Sequence, residues 1–440
     1  MIVGWALLSC ALGAADAGAD VDPPPIVDGE FTAASVHGIQ VLVKRIPEVD
    51  FVAGTLFIRG GVRNWGAADQ GIEELALSAA VHGGTESLAK DAFNARLAHT
   101  AAQLTASSGP DFSTLSAKAL KGDWDDTFAL LVDVFRHPAL PASEIELQRE
   151  QQLSALQHEQ EDPDTQLRLA VRQLLFKGHP YANRALGTPA TVKGFTRTQL
   201  VAHLGRLRET SRLVWIVAGD VDPKAILDQA RRAFGELPRG DYRETPLPPL
   251  AFEKPQLLLV ERDIPTRYVE SAFPGPRPGN PDVGAGLVAT SILSNRLFTE
   301  IRTKRNLSYA PQSGLSVGTA LPLGFLYVSS TQPNEAMKVM LGEVKRLQNE
   351  PVSDAELTAD KAVFLTNYFM ENQTTDGQVQ VLGAAQLYWG DWRKVRAFPD
   401  LVRQVTAADV QRFARTYIQR LQTAILGHGQ GIDRALFEGL

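Results

Sequence analysis

The sequence predicts an α+β protein of two similar domains in tandem, each built from a sheet covered by helices. Three observations point to this class. A proline-rich polar segment divides the chain near its middle. Strand-like runs alternate with amphipathic helical stretches in both halves. Finally, two local patterns occur once in each half at matching separations, which suggests that one domain plan was duplicated.

The boundary is the segment 240–250, which is rich in proline and shows neither helical nor strand periodicity. It predicts a semi-rigid linker over residues 239–254. The expected N-terminal domain then spans residues 25–238, and the expected C-terminal domain spans residues 255–440. Each part is long enough to bury its own core.

The repeated patterns are a strand and a helix–strand unit. A β-rich run closed by Ile-Pro occurs at 40–47 and again at 257–265. Thr196 and Thr406 each precede an amphipathic helix that leads to a hydrophobic strand. The glycines expected to close these strands, Gly219 and Gly429, follow the two threonines at equal spacing.

Other elements follow from periodicity and from helix signals. Residues 51–58 predict a strand, and apolar residues from Trp124 to Phe135 recur on one helical face. Asp123 precedes that helix as its expected N-cap. Pro163 is expected to break a long helical stretch and to begin a second helix, because proline is tolerated only in a first turn.

Composition excludes several classes of protein. The 440 residues are 44% hydrophobic and 21% charged, which argues against disorder and coiled coil. The net charge is −6 without blocks of like charge, so nucleic acid is not an expected partner. Cys10 is the only cysteine, which excludes intramolecular disulfides and thiolate metal sites.

The first 20 residues have the character of a signal peptide. They are apolar, end in small residues and contain Ala15 and Ala17 in an A-x-A arrangement. They lack a preceding Lys or Arg. Cys10, in Leu-Leu-Ser-Cys, also resembles a lipoprotein cleavage site. We therefore expect a periplasmic protein, with lipidation at Cys10 or a frayed apolar terminus as the alternatives. No later run is apolar enough for a transmembrane helix.

The segment 297–309, Leu-Phe-Thr-Glu-Ile-Arg-Thr-Lys-Arg-Asn-Leu-Ser-Tyr, resembles the pitrilysin (inverzincin) family of zinc peptidases. Gly-His-Pro-Tyr at 178–181, Leu-Gly-Thr-Pro at 186–189 and Val-Ala-Gly-Asp-Val-Asp at 217–222 are further landmarks in the expected order. The resemblance spans about residues 35–435. It implies a processing-peptidase-like fold, in which each domain is a mainly antiparallel sheet flanked by helices.

The family's catalytic zinc motif is absent from this chain. The family holds zinc with His-x-x-Glu-His on one helix and a downstream Glu, the first Glu being the general base. No two histidines here are three or four residues apart. The resemblance places Glu74 and Ser78 at the two histidine positions, Leu77 at the base and Ala155 at the last ligand. We therefore expect no metal and no hydrolysis by this chain alone.

The polar residues near this motif are expected to have structural roles rather than to bind a metal. Glu73, Glu74 and Glu159 match no known metal-binding loop, so they are expected to be solvated carboxylates on helix faces rather than ligands of a hard cation. His82 lies just after the degenerate motif. A lone histidine is more often a loop or core residue than a ligand.

Arg302 and Tyr309 match the family's substrate-binding pair. In the family, this Arg and Tyr reach across a closed chamber to the zinc site of the other half, where they bind the substrate and support the developing oxyanion. A cationic fork and a phenolic donor suit that role. The bland alternative is an Arg paired with a carboxylate and a Tyr packed by its ring.

The resemblance implies that single-chain members carry two such halves, with zinc in the first and the Arg/Tyr pair in the second. This chain has the length of one half and only the second half's chemistry. It is expected to be the zinc-lacking subunit of a heterodimeric peptidase that degrades peptides, with His-x-x-Glu-His and the zinc in a homologous partner. The alternatives are a purely structural or assembly subunit and a standalone peptide-binding protein.

Overall fold

The computed structural model describes residues 22–439, so the predicted signal peptide, with Cys10, lies outside the described residues. The fold is α+β, with two sheets in tandem, each flanked by helices, as predicted. The first sheet contains seven strands. They are β1 (Ile26–Asp28), β2 (Phe31–Val36), β3 (Ile39–Arg45), β4 (Phe51–Arg59), β5 (Gln103–Ser108), β6 (Phe112–Leu120) and β7 (Leu213–Gly219). The second contains β8 (Gln256–Val260), β9 (Arg267–Pro274), β10 (Gln312–Ser316), β11 (Leu323–Ser330) and β12 (Gln422–Leu426).

Fifteen α-helices surround the sheets in the described chain. The first half contributes α1 (Ile72–His82), α2 (Lys90–His99), α3 (Trp124–Arg136), α4 (Ala142–Glu161), α5 (Pro163–Leu175), α6 (Pro189–Gly194), α7 (Arg197–Leu207) and α8 (Pro223–Phe234). The second half contributes α9 (Asp282–Leu297), α10 (Pro333–Asn349), α11 (Asp354–Glu371), α12 (Thr375–Trp389), α13 (Lys394–Arg403), α14 (Ala407–Tyr417) and α15 (Arg434–Phe437). A π-helical turn, Phe298–Thr303, extends α9.

The two sheets repeat one strand order. The first runs β3-β7-β4-β6-β5, with β1 and β2 added at its edge, and the second runs β8-β12-β9-β11-β10. In each sheet one pair is parallel, β3 with β7 and β8 with β12, and the other pairs are antiparallel. The predicted duplication is therefore visible as identical topology.

Helix starts follow the predicted local signals, with one exception. The Asp162 carboxylate accepts the Thr165 amide at 2.8 Å and Pro163 opens α5. Thr196 and Thr406 form capping boxes at the starts of α7 and α14. Asp123 precedes α3 as predicted, but its side chain makes no capping hydrogen bond.

The glycine that ends the second repeated strand is Gly427, so the prediction of Gly429 was wrong. Gly219, the last residue of β7, and Gly427, the residue after β12, occupy matching register positions. Their φ values are 152° and 134°, a region that favours glycine. The connection from α14 to β12 lacks the 3₁₀ turn Thr210–Arg212 that lies between α7 and β7. The second unit is therefore shorter than equal spacing assumes.

Each half covers one face of its sheet with its own helices and lends one helix to the other half. Helix α5 packs on β8, β9 and β12, whereas α12 packs on β4 and β7. Leu167 and Val171 of α5 share a buried cluster with Ala424 of the second sheet. Gly383 of α12 allows the close approach, because a Cβ there would collide with the Phe57 ring.

Asp111 contacts residues of both halves of the protein. The Arg63 guanidinium lies 3.1 Å from its carboxylate, and the Tyr181 and Tyr388 hydroxyls donate to it at 2.5 and 3.2 Å. The Ala320 amide, from the second half, donates at 3.0 Å. Burial and the Asp111 charge raise the pKa of both tyrosines, which keeps them protonated as donors.

Between Phe234 and Gln256 the described chain forms neither helix nor strand. This segment is nevertheless held in place. Tyr242 stacks under the Arg212 guanidinium at 4.4 Å and accepts a hydrogen bond from Asn64 at 2.8 Å. Leu247 is buried in the cluster that α5 forms with the second sheet. Contacts of this kind fit a stiff connection rather than a flexible tether.

Candidate functional site

The segment predicted to be a degenerate zinc motif lies on α1, which packs against edge strand β5 and helix α4. Glu74 and Ser78 are partly buried on α1, and Ala155 is partly buried on α4. Leu77, at the general-base position, is 3% exposed in the core. The four positions thus offer one carboxylate and one hydroxyl to a metal, and an aliphatic side chain where a base is needed. This donor set does not fit a catalytic zinc, which needs three strong protein ligands.

Glu74 already has a structural role. Its carboxylate accepts the Ser108 amide, at the end of β5, at 3.1 Å. Burial is the largest influence and raises the pKa of Glu74, the neighbouring Glu73 raises it further, and the Ser108 hydrogen bond opposes both. Glu74 therefore links α1 to the end of edge strand β5.

The other two carboxylates of this region also have partners within the protein. Glu73 is 1% exposed, accepts the Ser113 hydroxyl and lies 2.7 Å from His203 Nε2. Glu159 forms an ion pair with Arg184. Glu73 is therefore buried rather than solvated, contrary to the sequence-based expectation. Within residues 22–439 no three His, Cys, Asp or Glu side chains form a group that could hold a metal ion.

His82 ends α1, and its Nδ1 lies 2.9 Å from the Ser78 carbonyl oxygen, four residues earlier. The ring thus closes the last turn of its own helix, which is a structural use of a lone histidine. Nothing in this contact points to a metal ligand.

Arg302 and Tyr309 lie together on the second half, between α9 and edge strand β10. Arg302 is in the π-helical turn rather than in a regular helix end, and its guanidinium lies 4.7 Å from the Phe298 ring and 5.7 Å from the Tyr309 ring. Such cation–π contacts orient a guanidinium without neutralising it. Single π-helical turns inside α-helices occur often at functional sites.

The guanidinium of Arg302 is open to solvent and has no ion pair among the described residues. Its cationic neighbours differ, since Lys304 and Arg305 each contact Glu300 at 2.6 Å. Tyr309 is 79% exposed. The structural alternative, in which Arg302 pairs with a carboxylate and the Tyr309 ring is packed in the protein, is therefore not what the structure contains. An open guanidinium fork beside a free phenol can donate hydrogen bonds to a carbonyl or carboxylate oxygen.

Two sequence models of known protein families match successive parts of the chain. The sequence model described as Insulinase (Peptidase family M16) matches residues 40–189, and the model described as Peptidase M16 inactive domain matches residues 194–364. The chain belongs to peptidase family M16. This is the zinc peptidase family that the segment 297–309 predicts.

Individual M16 relatives agree with this assignment along the length of the chain. An uncharacterized zinc protease of Rickettsia felis is 23% identical over 414 residues, covering 89% of this chain and 96% of that protein. The crystal structure of a peptidase M16 inactive domain from Pseudomonas fluorescens superposes with a TM-score of 0.82 at 19% identity, covering 90% of this chain and 98% of that one.

Another solved structure is that of a longer protein, only part of which matches this chain. The periplasmic protease PqqL of Escherichia coli matches with a TM-score of 0.79 at 16% identity. The match covers 97% of this chain but only 49% of PqqL. This M16 chain therefore has the fold of about half of that protein.

No helix within residues 22–439 is long and apolar enough to span a bilayer.

Two side chains beside the Arg/Tyr pair escaped the sequence analysis. Phe298 supports Arg302 from four residues earlier, the spacing at which helical side chains meet, and its ring is 44% exposed. Glu270 lies on β9 near Ala310, on the sheet face that α5 partly covers. A Glu in the middle of strand β9, between Val269 and the buried Ser271, was the signal that could have identified it.

Proposed function

We propose that this chain is the zinc-lacking subunit of a heterodimeric M16 metalloendopeptidase that degrades peptides. The observation that carries the proposal is the contrast between its two sites. Glu74, Leu77, Ser78 and Ala155 provide neither the three ligands that a catalytic zinc needs nor a base at the position of Leu77, whereas Arg302 and Tyr309 are exposed and free to bind a substrate. A homologous partner supplies His-x-x-Glu-His and the zinc.

The role of the pair follows from its chemistry. The Arg302 guanidinium binds a carbonyl or carboxylate oxygen of the peptide, and the Tyr309 hydroxyl donates to the oxygen on which negative charge develops. Donors oriented before the reaction stabilise such charge most effectively when the site is closed to water. The rings of Phe298 and Tyr309 hold the guanidinium in place before the peptide arrives.

The match to PqqL supports a two-subunit enzyme. The fold of this chain corresponds to about half of PqqL, whose single chain has room for two such units. In the proposed heterodimer the two halves of the enzyme are separate proteins that enclose one chamber. The predicted leader, residues 1–20, would place the assembly in the periplasm.

The proposal is tested by capturing the tagged chain from its native cells and identifying what is recovered with it. We expect a second M16 chain that contains His-x-x-Glu-His, together with zinc and cleavage of a fluorogenic peptide. Recovery of the chain within a stable assembly that lacks both a zinc-bearing M16 protein and peptidase activity would instead support the structural or assembly role.

A further inference from the structure

A cavity of about 330 Å³ opens beside Tyr309, on the face of the second sheet that α5 partly covers. Its lining includes Asp164 and Arg168 of α5, and Ala310, the residue after Tyr309. The strands contribute Glu270, Gln312, Phe325 and Tyr327. Helix α5 packs mainly on β8, β9 and β12, so the cavity lies between its N-terminal turns and edge strand β10.

Strand register places the polar residues of the cavity in one row across the sheet. Gln312 on β10 pairs with Tyr327 on β11, which pairs with Glu270 on β9. The Tyr327 hydroxyl donates to one oxygen of Asp164 at 2.5 Å. The Phe325 ring lies over Gly314 and forms an apolar wall. The row therefore leads from the edge of the sheet to two carboxylates.

Glu270 has no hydrogen-bond donor among the described residues. Its counterpart in the first sheet is Thr55, since Thr55 and Glu270 occupy the same register between the strands that flank them. Thr55 is satisfied by the hydroxyl of Ser116 at 2.9 Å and the amide of Gln380 at 3.4 Å. Glu270 is partly buried and lines the cavity, so its carboxylate is available to a donor that enters the cavity.

We infer that this cavity binds a lysine or arginine side chain of a peptide that pairs with β10 beside Arg302 and Tyr309. The inference rests on the proposed function, because it assigns a substrate preference to the same site. Strand β10 is an edge strand of its sheet, which is the geometry for adding a peptide strand. The cavity contains two carboxylates, Asp164 and Glu270, and one cation, Arg168. The Arg168 guanidinium donates a hydrogen bond to the Thr165 hydroxyl at 2.9 Å. The walls of Phe325 and Tyr327 suit the aliphatic stem of a basic residue.

The charge state of the cavity predicts the pH dependence of binding. The pKa of Glu270 is raised to about 7, mainly by burial. On helix α5, the positive charge of Arg168 lowers this pKa and the negative charge of Asp164 raises it. Tyr327 faces Glu270 from β11, while β12 presents Ala424, which does not titrate. A cationic side chain binds the ionised carboxylate. Binding of a basic peptide should therefore strengthen as the pH rises through 7.

The same carboxylate affects stability with the opposite sign. Glu270 binds its proton more tightly in the folded chain than in the unfolded chain, so the folded chain loses stability as the pH rises from the ordinary Glu pKa to about 7. The Glu270→Gln variant should therefore have a higher melting temperature than the native chain at pH 8, with a smaller difference at pH 5. This measurement shows that the variant is folded.

The decisive test compares 12-residue fluorescent peptides that differ only in carrying lysine or norleucine at one position, scanned along the peptide. At pH 8, at one position, the chain should bind the lysine peptide roughly tenfold or more tighter, as a charge-assisted hydrogen bond provides. Glu270→Gln should abolish that ratio, and Thr55→Val, the matched control, should retain it. Equal or absent binding of both peptides, or a ratio that survives in Glu270→Gln, overturns the inference.

The kcat/KM ratio for the same two peptides in the assembled enzyme separates this inference from the proposed function. If Arg302→Ala reduces cleavage but Glu270→Gln leaves the lysine-to-norleucine ratio unchanged, the cavity assignment is wrong and the subunit role stands. If no zinc-bearing partner exists, the subunit role is wrong, and the binding ratio of the chain alone still decides the cavity.

Discussion

Replacing Arg302 by alanine should lower kcat/KM of the proposed heterodimer by roughly 10²–10³-fold, the usual cost of losing one oriented transition-state donor. The guanidinium is exposed, stacks on Phe298 and has no ion pair among the described residues, so its loss leaves no unpaired carboxylate in the protein. The melting temperature should therefore hardly change. The measurement is steady-state cleavage of a fluorogenic peptide by purified heterodimer.

Arg305→Ala is the matched control for this prediction. Arg305 lies three residues away, is exposed and contacts Glu300 at 2.6 Å, so its removal deletes a nearby positive charge without touching the Arg302–Tyr309 pair. Tyr309→Phe should reduce kcat/KM like Arg302→Ala, because it removes the hydroxyl and keeps the ring. If both variants cleave peptide as the native enzyme does, the assigned substrate-binding roles are wrong.

Replacing Asp111 by alanine should reduce the free energy of unfolding by about 3–5 kcal/mol, the largest stability effect expected for this chain. The change removes the nearer carboxylate of the buried Arg63, whose other carboxylate partner, Glu244, is exposed and 3.7 Å away. It also removes the acceptor of Tyr181, Tyr388 and the Ala320 amide. Because these groups come from both halves, the loss should also weaken the junction between them. Urea unfolding monitored by circular dichroism measures the change.

The control for Asp111 is Asp376→Ala. Asp376 also joins the two halves, through Lys118 at 2.7 Å, but both side chains of that pair are about a third or more exposed. An exposed ion pair contributes at most about 1 kcal/mol. A loss for Asp111→Ala no larger than that for Asp376→Ala would show that the buried cluster does not hold the halves together.

Much of the fold was predictable because its signals are local. The threonine caps at 196 and 406, the Pro163 break and the apolar stripe of α3 depend on residues within a few turns of one another, and the structure confirms the elements they predict. The glycine at the end of β12 was misplaced because equal spacing assumes equal loops.

The exchange of α5 and α12 between the halves could not be predicted in the same way. The apolar face of α5 shows that it packs against something, but not that the surface belongs to the other half. Asp111 and Glu270 escaped notice for a related reason. Each has neighbours in the fold that are more than a hundred positions away in the sequence. Tyr388 donates a hydrogen bond to Asp111, and Asp164 lines the same cavity as Glu270.

The candidate site shows the same division. The absence of His-x-x-Glu-His is a matter of residue identity, so the sequence alone establishes it, since no two histidines are three or four residues apart. The openness of Arg302 and Tyr309 was not predictable, because an Arg at a helix end could equally have paired with Glu300. In the structure Lys304 and Arg305 form ion pairs with Glu300. Arg302, in the π-helical turn, instead packs its guanidinium against the Phe298 ring.

Zinc content measured together with peptidase activity tests the central claim most directly. The purified chain is incubated with zinc, freed of loosely bound metal by gel filtration and analysed by mass spectrometry for metal per chain, and the same sample is assayed with a fluorogenic peptide. The account predicts far less than one zinc per chain and no cleavage until the zinc-bearing partner is added. One tightly bound zinc per isolated chain, accompanied by hydrolysis of the peptide, would contradict it.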